Sequence, residues 1–188
     1  MAVEIVYETH ATTTDNEAGI ATGHLPGRLG PLGRRQAAEL GARRRGGELA
    51  AVFTSDLHRA VATARIAFPD GRPPLHRDAR LRECDYGTLN GAPAHLVAAR
   101  RPHCADEPYP GGQSHRQVLE ATGAFLADLA AGFDGRRVLL IAHSANRWSL
   151  DCLLAGARLE DVLRDPPPWR PGWYYTLPVP WPWPPAAS

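Results

Sequence analysis

Long apolar runs, cysteine and net charge are all scarce in this chain, and each scarcity excludes something. No uninterrupted apolar run approaches the roughly 20 residues needed to cross a bilayer, so no membrane-spanning helix is expected. The three cysteines, Cys84, Cys104 and Cys152, are isolated and odd in number, which fits neither a disulfide framework nor a paired zinc spacing. A formal charge of +1 argues against a general nucleic-acid binder, which would show a strongly basic face. The one compact basic run, Arg43-Arg44-Arg45, sits where a helix should end and reads as cations complementing a helix C-terminus beside solvent. Neither a G-x-S-x-G elbow nor a P-loop occurs, which weighs against a serine hydrolase and a nucleoside-triphosphate site. His24, His58, His76, His95, His103 and His115 fit no metal-ligand spacing, so no metal and no cofactor are expected. Met1 leads almost directly into an apolar run with no basic, hydrophobic leader ahead of it, and the expected location is cytoplasmic.

What is present is enough apolar sequence for one domain. The 188 residues are 44% hydrophobic and 22% charged, the balance of a globular chain with a sizeable core. Two apolar stretches share one construction. Val3-Glu4-Ile5-Val6-Tyr7-Glu8-Thr9 delivers His10 to a run of small and hydroxyl residues that suits a turn, and Val138-Leu139-Leu140-Ile141-Ala142 ends in His143-Ser144. Two buried strands would then present histidines at their carboxyl ends, where open α/β sheets place ligand sites.

The other elements alternate. Residues 17–28 read as an irregular loop from their Gly and Pro content, and Pro31 opens a helix to about Arg45. Leu49–Thr54 is a strand, followed by a helix carrying Leu57, Val61, Ala64 and Phe68 on one face. Leu75–Leu81 reads as a less apolar strand near an edge, Ala92–Arg101 as a short helix, and Ser114 to about Ala130 as a longer one. A helix from Ala145 and a last strand at Trp173–Leu177 complete a single three-layer α/β/α domain with a mostly parallel sheet over residues 1–178. Residues 179–188 form a Pro/Trp-rich tail, in which Trp181 and Trp183 are expected to pack on a surface or on a partner chain.

The order of motifs resembles that of the histidine phosphatase superfamily, also called phosphoglycerate-mutase-like. His10 comes first, then Thr54-Ser55-Asp56-Leu57-His58-Arg59-Ala60 with Thr63-Ala64, then Leu81-Arg82-Glu83 with Tyr86-Gly87 and Gly91, then Ala142-His143. Asn16, Thr22-Gly23, Leu32-Gly33 with Gln36-Ala37, and Pro110-Gly111-Gly112 extend the match over nearly the whole chain. The resemblance implies a nucleophile at His10 that carries the phosphoryl group as phosphohistidine, and a second histidine, His143, that contacts its oxygens as a cation. It implies a phosphate-binding fork at Arg59 and a proton donor for the leaving oxygen at Glu83. Asn16, Thr22, Gly23 and Ser144 match or adjoin positions around the phosphate pocket. The implied activity is hydrolysis of a small-molecule phosphate monoester without a metal, with a phosphorylated metabolite as the partner and a homodimer as the assembly to test. Phosphoryl transfer by a mutase of the same family, or a binding protein that kept the fold, are the alternatives.

The signature Arg-His-Gly is here Thr9-His10-Ala11. One guanidinium is absent, and charge-assisted hydrogen bonds are worth about 1.5–3 kcal/mol each. Losing one or two would slow transfer by about 10- to 1,000-fold. Arg28, Arg82 and Arg147 are the residues expected to fill the gap at Thr9. Glu8 shares the strand face of His10 and would repel phosphate unless paired, either with an arginine or with a cationic group on the substrate.

Overall fold

The computed structural model describes residues 1–184. Strand β1 (Ala2–Thr9) leads into a one-turn helix, α1 (Thr14–Glu17), and a two-residue strand, β2 (Ile20–Ala21). Helix α2 (Pro31–Arg44), strand β3 (Ala51–Thr54), helix α3 (His58–Ala67) and strand β4 (Leu75–Arg77) follow. Then come β5 (Ala92–Pro93), α4 (Ala94–Arg100), α5 (His115–Phe133), β6 (Arg137–Ala142), α6 (Ser144–Ala155), α7 (Leu159–Arg164) and β7 (Trp173–Pro178).

Five strands form one sheet in the order β4-β3-β6-β1-β7, parallel except for β7. The most apolar strands occupy its middle. Val138 to Ala142 of β6 are fully buried, as are Val3, Ile5 and Tyr7 of β1, because helices cover both faces. Register then does the positioning. Thr9 pairs with Ala142 and Thr54 with Ile141, so β1, β3 and β6 end level and release His10, Ser55 and His143 side by side. The His10 amide donates to the Ala142 carbonyl at 2.9 Å, which extends the ladder by one residue into the site.

Several expectations change in detail. The stretch 17–28 is not wholly irregular, because Ile20–Ala21 pairs antiparallel with Ala92–Pro93 and ties the loop to the start of α4. Only Leu75–Arg77 of the expected 75–81 strand pairs with the sheet edge. A turn capped by the Asp78 side chain takes Ala79–Leu81 instead. Helix α7 lacked a sequence reading, although Leu159, Val162 and Leu163 bury one face at helical spacing. Gly33 of α2 lies so close to the Thr12 carbonyl that a β-carbon would collide with it, which lets α2 rest on the chain just after His10. Trp181 packs partly buried on the main core, and Trp183 lies over Gly123 of α5, so both rest on the chain's own body. Pro185–Ser188, the end of the expected tail, lie outside the described residues.

Candidate active site

The histidine rings at the ends of β1 and β6 face each other with centroids 5.0 Å apart. His10 Nδ1 lies 2.8 Å from the Ala11 carbonyl, an acceptor, so Nδ1 carries the hydrogen and the lone pair sits on Nε2. Arg59 Nε donates to that Nε2 at 3.3 Å. Burial, followed by the Arg59 charge, lowers the His10 pKa to about 3, so the ring is neutral through the physiological range.

Arg59 is buried, and it is aimed by a loop. Its two terminal nitrogens donate to the carbonyls of Leu25 (3.2 Å) and Gly23 (2.7 Å). Gly23 adopts φ +56°, and a β-carbon there would run into the Asn90 side chain, so glycine is required for this carbonyl to reach the guanidinium. Thr22 is buried beside it with its hydroxyl on Asp15, at 2.9 Å. Thr63, one helical turn beyond Arg59, donates to the Arg59 carbonyl and accepts the Ala11 amide, which couples α3 to the chain after His10.

His143 is fully buried at the N-cap of α6, with Nε2 2.7 Å from the Ser55 hydroxyl. Its carbonyl accepts from the Tyr7 hydroxyl. The sequence implied a cation here, but within the protein alone burial first, then Arg59, His10 and His24, push its pKa well below the ordinary value and leave it neutral. Glu83 is buried against the same helix end. One oxygen, Oε1, accepts the amides of Cys84 (2.9 Å) and Ala145 (3.3 Å). Burial outweighs these contacts and the Arg59 charge, and its pKa is raised. His24, in the same loop as Gly23 and Leu25, reaches the Glu83 carbonyl through Nε2 at 2.7 Å.

On the other side of His10 a cavity of about 370 Å³ opens between α2 and the chain preceding β7. Asn16 and Ser144 line it, together with Thr9 and an exposed indole, Trp169, whose Nε1 donates to Thr9 Oγ1 at 2.9 Å. The arginines expected beside Thr9 are elsewhere. Arg28 points outward into a separate hollow with Arg34 and His58. Arg82 makes a two-pronged pair with Asp56, at 2.7 and 2.6 Å. Arg147 is buried against Asp151 and the Trp173 ring. Glu8 is 2% exposed and is held by Arg44 (2.7 Å) and Arg43 (3.4 Å). Arg44, its side chain 13% exposed, therefore turns inward from the end of α2, while Arg43 reaches Glu8 from the solvent side. Among the described residues no group of three or more His, Cys, Asp or Glu side chains is arranged to hold a metal ion.

A family model described as the histidine phosphatase superfamily (branch 1) matches residues 9–167. The chain belongs to this family. Among the relatives of this histidine phosphatase is the Hydrogenobacter thermophilus protein named "Putative phosphoserine phosphatase 2", 28% identical over 81% of this chain and 79% of its own. Another is the Salmonella choleraesuis protein named "Probable phosphoglycerate mutase GpmB", 27% identical over 81% of this chain and 74% of its own. Of solved structures, Bacillus stearothermophilus YhfR superposes with a TM-score of 0.80 at 25% identity, covering 90% of this chain and 88% of its own. The mycobacterial glucosyl-3-phosphoglycerate phosphatase solved with VO3 gives 0.74 at 25% identity, with 85% of each chain covered.

Sequence reasoning missed three contributors. Tyr7 and Ser55, which set the position of His143, looked like ordinary strand and cap residues. Trp169 had no signal at all, because its partner lies 160 positions away.

Proposed function

We propose that this histidine phosphatase hydrolyses a small phosphate monoester by direct transfer to His10 Nε2, followed by attack of water on the phosphohistidine. The observation that carries this reading is the fixed tautomer of His10: Nδ1 donates to Ala11, so the lone pair is on Nε2 beside Arg59. A neutral imidazole is a competent nucleophile near pH 7, and two displacements divide one high barrier.

Of the five N–H hydrogens on Arg59, two point at carbonyls and one at His10, which leaves two unspent for phosphoryl oxygens. A phosphoryl dianion would also work against the burial, and the charges behind it, that keep His143 neutral and let it take a proton where charge develops. Glu83 supplies the proton for the leaving oxygen. Its Oε1 is anchored by two amides, its Oε2 accepts no hydrogen bond among the described residues, and burial keeps the carboxyl protonated at higher pH than usual. After transfer the resulting carboxylate takes a proton from the attacking water, and hydroxide displaces His10 Nε2 from phosphorus to release phosphate. Thr9 contributes its hydroxyl hydrogen. Its oxygen already accepts from Trp169, so the remaining O–H is available to a phosphoryl oxygen where the family signature has a guanidinium.

Mixing the protein with a panel of ³²P-labelled monoesters at short times tests this. The expected result is an acid-labile, base-stable label on the protein, lost in His10→Ala. Turnover without any such label would exclude the covalent path, and neither label nor turnover would favour the binding protein. A labelled enzyme that passes the group to a second hydroxyl compound instead of water would be the mutase.

A further inference from the structure

We propose that His24 is a positioning residue, which holds the proton donor Glu83 at a fixed distance from the phosphate fork of Arg59. The proposal rests on the phosphatase reading above and adds a residue to its machinery. The two groups come from separate elements, and a phosphoryl group seated on Arg59 reacts only if Glu83 meets its leaving oxygen. A misplacement of about 1 Å in such a relation costs on the order of 10²-fold.

The loop over residues 22–25 is tied to Arg59 on one side. The carbonyls that accept its guanidinium belong to Gly23 and Leu25, the two residues that flank His24. The His24 side chain makes the tie on the other side. Its Nε2 donates to the Glu83 carbonyl at 2.7 Å, and its Nδ1 stands 3.7 Å from Asp85 Oδ2. The His24 amide reaches Asn90 Oδ1 at a longer 3.4 Å. Among the described residues no other side chain of this loop hydrogen-bonds to residues 82–85, so the separation of Arg59 and Glu83 is set through one imidazole.

Both anchorages are firm. Asp85 Oδ1 accepts from the Gly87 amide (2.9 Å) and from Asn90 Nδ2 (2.6 Å), while Asn90 Oδ1 accepts the Tyr86 amide at 3.1 Å. The Gly91 amide donates to the Ala21 carbonyl at 2.8 Å, which pins the entry of the loop. The His24 side chain is 24% exposed and lies outside the sheet, so cutting this tie spares the core. A tie that served folding alone would affect every ester alike. A tie that places the proton donor matters most where the leaving oxygen most needs a proton.

The test uses ring-substituted phenyl phosphates from 4-methoxy to 4-nitro, which keep one framework while the leaving group's need for a proton falls. Values of kcat/KM, which report transfer to His10, are compared in wild type, His24→Ala and His24→Gln. Glutamine carries its amide nitrogen to about the place of the imidazole Nε2 and keeps the donor. General acids contribute about 10²- to 10⁴-fold, and a displaced one forfeits part of that. In His24→Ala the 4-methoxy ester should therefore lose about 10-fold and the 4-nitro ester less than about 3-fold, with most of the loss recovered in His24→Gln. Inhibition by inorganic phosphate should stay within about 2-fold, because Arg59 keeps its two carbonyls. In a Glu83→Gln background the same His24→Ala change should cost less than about 2-fold on the 4-methoxy ester. An equal fall along the series, an equal fall in both His24 variants, or an undiminished effect in Glu83→Gln overturns the proposal.

Carboxyl ¹³C resonances of Glu83 read the same tie without turnover. Burial holds its titration above the ordinary range, and a loop released by His24→Ala admits water and should bring the midpoint down, while His24→Gln should leave it in place. One midpoint in all three proteins refutes the tie. A shift confined to His24→Ala in a protein that hydrolyses none of the esters supports the tie and fails only the phosphatase reading.

Discussion

The two sides of His10 are built differently. On one side Arg59, His143 and Glu83 are buried; Arg59 stands in the first turn of α3, His143 at the end of β6 and Glu83 in the loop after the Ala79–Leu81 turn, and each is held by hydrogen bonds to the surrounding protein. On the other side Thr9, Trp169 and Asn16 line an open cavity, and Thr9 is joined side chain to side chain with Trp169 of a proline-rich strap. The buried side can impose charge and geometry because low-dielectric surroundings amplify both. The open side can change its occupant without disturbing the sheet, and there this chain departs from the Arg-His-Gly signature.

The contrast breaks most sharply at Arg59. Replacing it with Lys removes the planar fork, strands the Gly23 and Leu25 carbonyls, and should lower kcat/KM on the order of 10²-fold for every ester tested. An unchanged kcat/KM would show that this fork does not hold the phosphoryl group.

Glu8 lies beneath the boundary. Glu8→Ala leaves Arg44, whose side chain is only 13% exposed, without its carboxylate. The expected loss is about 2–4 kcal/mol, seen as a melting temperature about 5–10 °C lower. A melting temperature within about 2 °C of wild type would show that Arg44 simply turns to solvent.

The buried side should also show in the pH dependence of stability. His10 titrates near 3 when folded and near 6.5 when unfolded, so the unfolded chain binds the extra proton between these values. Its contribution is intact above about pH 6.5 and is lost progressively as pH falls toward 3. His143 acts in the same direction. Glu83, whose folded pKa is raised, has the opposite sign: its folded carboxyl loses stability as pH rises above the unfolded carboxyl range. Denaturant midpoints for wild type and His10→Gln between pH 4 and 7 should show a shallower slope in the variant. Equal slopes would place the His10 titration near its ordinary value.

The smallest effect belongs to the open side. Thr9→Val deletes the hydroxyl while keeping the shape, and losing one hydrogen bond from an uncharged donor to the charged phosphoryl group, at the lower end of the range for such bonds, predicts a fall in kcat/KM of about 10-fold. A loss approaching that of Arg59→Lys would move Thr9 to the buried side of the comparison.

Much of the buried side was legible in the chain, because its signals are local. Two apolar runs each ended in a histidine, Arg59 and Glu83 stood in motifs of a few residues, and parallel pairing brought the strand ends level. The protonation of His143 was not legible, since a motif shows that a histidine is present but not how deeply it is buried or how close Arg59 lies. Nor was the fate of the arginines: Arg43 and Arg44 looked like ordinary helix-end cations, and only the rotation of α2 against the sheet turned them onto Glu8.

The sequence carried the alternation of strands and helices that sets the fold class, and the motif order whose resemblance singles out His10, Arg59, Glu83 and His143, because hydrophobic period and short motifs are properties of neighbouring residues. The tertiary structure decided what stands beside Thr9. A hydrogen bond between residues 9 and 169 exists only after the sheet, α6 and the proline strap have placed them together, and no local pattern encodes that meeting.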